Sequence, residues 1–144
     1  MQVPDVNVLV YAHREDAADH EKAARFVTAL ATRDEPFALS ETALHGVVRI
    51  VTNRKIFPRP STLDEVFAFI AGLRSRPNCR MLRPGPRHFD IFVDLCHRSR
   101  AWGKLVADAY HAALAIEQGC EWVTADSDFS RFPGLRWRHL DDVG

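Results

Sequence analysis

The chain has 144 residues, 47% of them hydrophobic, and its 19 lysines and arginines balance 19 aspartates and glutamates. That length fits one domain over residues 1–144, with enough apolar material for a core that needs neither disulfides nor structural zinc. The zero net charge excludes whole-protein attraction as the basis of nucleic-acid binding and leaves only a local patch for that role.

In chain order, Gln2 to Pro4 with Val6, Val8 and Val10 is open to two readings. Period-two alternation allows one long strand. A short strand ending at Asp5, followed by a helical turn through Tyr11, fits the same residues. Ala23, Ala24, Val27 and Leu30 have helical spacing and predict a helix over 20–31. Residues 37–39 predict a short strand, and Ser40 is placed to cap a helix over 41–51. Pro58-Arg59-Pro60 is a stiff break. Thr62 with Glu65 forms a capping-box pattern ahead of Val66, Phe67, Ile70 and Leu73. Residues 79–82 predict a strand between two loops rich in Arg and Pro. A helix over 89–96 puts Phe92, Val93 and Cys96 on one side. The helix over 105–118 is the clearest, with Gly119 as its stop. Strands are expected at 122–124 and, after Pro133-Gly134, at 135–139.

Cys79, Cys96 and Cys120 are odd in number and far apart, with no CxxC pair, and read as reduced thiols. No basic-then-apolar leader and no membrane-length apolar run occurs, so the expectation is a soluble, cytoplasmic protein. His13, His20, His45, His88, His97, His111 and His139 form no HxxxH or HxH pair, and no zinc ligand is assigned. Basic residues concentrate at Arg74, Arg76, Arg80, Arg83, Arg87, Arg98, Arg100 and Lys104, and again at Arg49, Arg54, Lys55 and Arg59. They read equally as phosphate contacts and as solvated surface.

Short strands alternating with helices predict an α/β domain with a mostly parallel sheet flanked by helices. Such sheets bind ligands beyond the carboxyl ends of their strands. Asp5, Glu41 and the pair Asp126 and Asp128 each follow a strand candidate. Taken singly, each acid has an ordinary explanation as a helix cap, a dipole partner or a turn residue. Taken as a set with Asp108, they repel one another unless a cation neutralises them. Oxygen-only ligands imply a hard ion, Mg2+ or Mn2+, and the matching chemistry is phosphodiester hydrolysis.

Asp5-Val6-Asn7-Val8-Leu9-Val10-Tyr11-Ala12 resembles the opening motif of PIN domains. Ser40-Glu41 with Val48-Arg49-Ile50-Val51-Thr52-Asn53, then Asp108-Ala109-Tyr110-His111-Ala112-Ala113-Leu114-Ala115, then Thr124-Ala125-Asp126-Ser127-Asp128-Phe129 with Phe132-Pro133-Gly134-Leu135, resemble the later segments of VapC proteins. The resemblance runs over nearly the whole chain in the family's order. It implies a Rossmann-like PIN fold, an Mg2+- or Mn2+-dependent endoribonuclease, RNA as substrate, a homodimer and a VapB-type antitoxin as partner. By position it implies Asp5, Glu41, Asp108 and Asp126 as the catalytic, metal-holding acids, with Asp128 a fifth candidate. Asn7 stands where many members have Thr or Ser, in a supporting role. Two alternatives are a haloacid-dehalogenase-like phosphatase, suggested by Asp5-Val6-Asn7-Val8, and a non-catalytic PIN-like module that binds RNA or a protein.

Overall fold

The computed structural model describes residues 1–143; Gly144, the last residue of the expected domain, lies outside them. The elements are β1 (Gln2–Pro4), α1 (Val6–His13), α2 (His20–Thr32), β2 (Phe37–Ser40), α3 (Glu41–Val51), α4 (Leu63–Arg74), β3 (Cys79–Leu82), α5 (His88–Ser99), α6 (Lys104–Gln118), β4 (Glu121–Thr124) and β5 (Trp137–His139). Two 3-10 turns, Ser127–Arg131 and Leu140–Asp142, follow β4 and β5. All strand pairs are parallel, in the order β3-β2-β1-β4-β5.

The open question at the N-terminus is decided for the short strand. Asp5 caps α1, its carboxylate accepting the Val6 N–H, and Val8, Leu9 and Val10 are buried in succession. Three consecutive buried residues suit a helix pressed between sheet and neighbouring helices better than a strand with one wet face. Ser40 Oγ caps α3 by accepting from Ala43 N, and the Thr62–Glu65 capping box forms in full. Gly119 ends α6 in the left-handed region at φ 66°, which glycine adopts without a Cβ penalty. The last strand is shorter than expected, beginning at Trp137 rather than residue 135.

Two apolar layers sandwich the sheet. Phe37 and Leu39 join the cluster built with α1 to α4, while Ala38 joins the one built with α5 and α6, the period-two alternation of a strand covered on both faces. Among the described residues no helix is long and apolar enough to cross a membrane. All three cysteines are free.

The topology places the site. From β1 the chain builds outward through β2 and β3, then crosses back to lay β4 and β5 on the other side. The order reverses between β1 and β4, and the crevice beyond their carboxyl ends is where an open α/β sheet binds its ligand.

Candidate active site

Asp5 leaves β1 and Asp126 follows the end of β4, so the strand reversal brings these two acids together. Asp5 N donates to Val123 O at 2.8 Å, which holds the end of β1 against β4. Asp5 is almost fully buried. Its Oδ1 accepts from Val6 N and its Oδ2 from Thr124 Oγ1, both at 2.6 Å. Burial pushes its carboxyl up to about 7 against the pull of those two hydrogen bonds.

Asp108 comes from the first turns of α6 and is also buried. Burial raises its pKa, and the Lys104 ammonium opposes the rise. Asp126 is more open: desolvation pushes its carboxyl up, but hydrogen bonds from Lys104 and Asp128 N hold it below the ordinary range. Asp5, Asp108 and Asp126 line one cleft, with Lys104 at its edge. Tyr11, Arg49 and Ile50 line it as well.

Thr124, part of the segment that carries Asp126, is a hub whose role the sequence leaves unassigned. Its hydroxyl donates to Asp5, accepts from Asp126 N at 3.0 Å and meets Asn7 Nδ2 at 3.4 Å. The sequence signal for it is a threonine at the tip of the strand leading to Asp126, which the structure buries fully. Asn7 Oδ1 accepts from Ala125 N at 3.1 Å. Its amide therefore spans from α1 to the segment after β4 and positions the two acids relative to each other.

His111, one turn beyond Asp108, also faces the cleft. Its ring stacks on Trp122 at 5.4 Å. Burial lowers its pKa to about 4, aided by His88 and Lys104, so the imidazole is neutral at physiological pH. Its Nδ1 is buried with no hydrogen-bond partner.

Glu41 and Asp128 are not brought to the cleft. Glu41 lies on an apolar groove with Leu44, Phe67 and Ile70 and pairs with Arg83. The cleft side of α3 carries Gly46, Arg49 and Ile50 instead, and at 3.6 residues per turn Glu41 lies about 140° around the helix from Gly46. Gly46 has a packing reason: a Cβ there would stand 3.2 Å from a Val6 methyl. Asp128 turns its carboxylate toward Arg131 at 3.8 Å, and its backbone N–H donates to Asp126 Oδ1 at 2.9 Å. Of the basic stretch from Arg74 to Lys104, Lys104 lines the cleft and three arginines are engaged elsewhere. Arg76 bonds Ala31 O, Arg83 bonds Glu41 and Arg98 pairs with Asp94.

Among the described residues no three acid, His or Cys side chains converge as a ready metal cage. Magnesium does not need one, because it binds through one or two carboxylates and keeps several waters. Three carboxylates on one cleft, two of them with raised pKa values, form an oxygen-only donor set that a divalent cation would relieve. An ammonium already lies between two of them. The residues present fit a hard divalent ion.

A PIN domain family model matches residues 3–135. The chain is 42% identical over 135 residues to the VapC ribonuclease Mb2897 of Mycobacterium bovis, covering 94% of this chain and 92% of the relative. The fold is similar to that in the structure of VapBC2 from Rickettsia felis bound to a DNA fragment from their promoter, with a TM-score of 0.69 at 16% identity, covering 96% of this chain and 97% of that one. It is also similar to Mycobacterium tuberculosis VapC20, a Sarcin-Ricin loop cleaving toxin, with a TM-score of 0.65 at 17% identity over 94% of this chain and 99% of that one.

Proposed function

The chain belongs to the PIN-domain family, among the VapC ribonucleases, and on that premise we propose that it is a divalent-metal-dependent endoribonuclease serving as the toxin of a VapBC-type pair. The observation that carries this is the convergence of Asp5, Asp108 and Asp126, from three separate elements, on the cleft where the strand order reverses.

Asp5, Asp108 and Asp126 would hold Mg2+ or Mn2+. When bound, the ion supplies Lewis-acid stabilisation of charge on a phosphate oxygen and lowers the pKa of water for in-line attack. The protein's own part is positional. Thr124 and Asn7 fix the Asp5 carboxylate against the β4 end. His111, being neutral, adds no positive charge beside the carboxylates. Arg49 lines the same cleft as the acids and would attract the RNA backbone there, the local positive charge that a neutral chain requires. The VapBC complex among the structural relatives supports a VapB-type partner, and family likeness supports a homodimer acting in the cytoplasm. The phosphatase alternative gains no support: it needs a general acid at residue 7, and Asn7 is occupied in bridging α1 to Ala125.

The test is incubation of the purified protein with total RNA, with Mg2+, Mn2+ or chelator, followed by mapping of new ends. Discrete cuts that require metal are expected. Metal-independent cutting, or none under any condition, would reject the proposal. Expression alone in a bacterial host is expected to slow growth, and the adjacent small reading frame to relieve it.

A further inference from the structure

The cleft assigned to a divalent ion already holds a cation belonging to the protein. Lys104 opens α6, and Asp108 follows four residues later, a spacing that puts two helical side chains side by side. The Lys104 ammonium lies 3.0 Å from Asp108 Oδ2 and 2.9 Å from Asp126 Oδ2. One charge thus bridges a carboxylate on α6 to one after β4.

This is unlike an ordinary surface ion pair. Exposed pairs contribute little because both partners are solvated, whereas here the aspartate side chains are only 11% and 26% exposed while the lysine's is 72% exposed. Most of the lysine side chain is exposed, while its ammonium reaches both carboxylates. The helix does not favour it there, since a positive charge at a helix N-terminus opposes the dipole. The two acids are what hold it.

We propose that Lys104 is a built-in counter-ion that fills the seat between Asp108 and Asp126 and must vacate it for a divalent cation to enter, thereby setting how much cation loads the site. This role presupposes the metal-site assignment above and adds a competitor to it. Two positive charges at contact distance repel in a shielded cleft, and carboxylate oxygens engaged by an ammonium have fewer lone pairs for a metal. A lysine suits such exchange because its head is a compact charge on a flexible four-carbon stem. It also has somewhere to go. Lys104 forms part of the wall of a neighbouring hollow with Asp128 and Arg131, where Asp128 offers another carboxylate.

The test is a titration of metal-stripped, full-length protein with Mn2+ at about pH 8, above the range in which Asp5 takes up its proton. Free Mn2+ is read by electron paramagnetic resonance, and wild type is compared with Lys104→Met, Lys104→Gln and Asp108→Asn. Both lysine variants are expected to bind Mn2+ about tenfold more tightly than wild type. Their metal-free melting temperatures should drop, and the rise on adding Mn2+ should be larger. If wild type binds Mn2+, Asp108→Asn does not, and neither folded lysine variant binds more tightly, the counter-ion role is overturned while the metal site stands. If neither wild type nor either lysine variant binds Mn2+, both are overturned.

Discussion

Asp5 and Glu41 each come immediately after a strand, at the start of a helix, and they meet opposite fates. Asp5, after β1, is buried and hydrogen-bonded to a buried threonine, and its carboxyl is pushed up to about 7. Glu41, after β2, is exposed and paired with Arg83 on the surface. The sequence context is the same: a short apolar strand, then an acid at a helix start. The difference lies in the neighbouring strand. β1 has β4 beside it, arriving from the far side of the reversal with its own acid, so their helices part and leave a crevice. β2 lies between β1 and β3 on one side of the sheet, where no reversal opens a gap. A strand end followed by an acid is therefore a weak signal until the strand order is known.

That contrast can be broken or sharpened in four ways. The largest expected effect is on catalysis: Asp5→Asn and Asp108→Asn should each lose at least about a hundredfold in RNA cleavage, by analogy with removal of one transition-state stabiliser. If both variants cut at wild-type rates, the cleft is not the active site.

The second effect is on pH dependence. Asp5 is pushed from 3.8 up to about 7, so the folded state keeps a proton that the unfolded chain gives up. Its contribution to metal-free stability is fully present below about pH 4 and is lost as pH rises through about 7, worth at most about 4 kcal/mol. His111, lowered to about 4, acts in the opposite sense, but it is common to wild type and Asp5→Asn and cancels between them. Measured with chelator, the melting temperature of wild type minus that of Asp5→Asn should fall from about pH 4 to about pH 7 and then level off. A constant difference would mean that Asp5 titrates normally.

The third effect concerns the hub. Thr124→Val leaves Asp5 Oδ2 and Asp126 N without their shared partner in a buried place. It should cost about 1–3 kcal/mol of stability in urea unfolding, with a loss of cleavage smaller than that of Asp5→Asn. The smallest effect is at the other strand. Glu41→Gln removes an exposed ion pair and should change stability by no more than about 0.5 kcal/mol, with cleavage near the wild-type rate. A loss of cleavage as deep as that of Asp5→Asn would return Glu41 to the site.

Much of this was legible in the residues. Beyond the first thirteen residues, period and caps place the helices and strands to within a few positions, because Ser40, Thr62 and Gly119 mark their ends chemically. Asp5, Asp108 and Asp126 were legible because each ends a strand or sits early in a helix in the family's order. What was hidden depends on geometry between elements. The valines after Asp5 suit a strand and a buried helix equally, and only packing against α2 and α3 distinguishes them. Glu41 is placed at the site both by following a strand and by its position in the family resemblance, and the rotation of α3 turns it away. In sequence Lys104 reads as one more member of the basic stretch, just ahead of a helix expected over 105–118. Once it opens α6, it pairs with Asp108 by spacing alone.

The central claim is that the cation site lies at the β1–β4 reversal and not at the end of β2. It is tested most directly by Mn2+ binding to three metal-stripped proteins: wild type, Asp126→Asn and Glu41→Gln. Wild type and Glu41→Gln should bind Mn2+ with matching affinity, and Asp126→Asn should bind about tenfold or more weakly, as expected when one carboxylate ligand is lost. Weakened binding in Glu41→Gln with unchanged binding in Asp126→Asn would contradict the account.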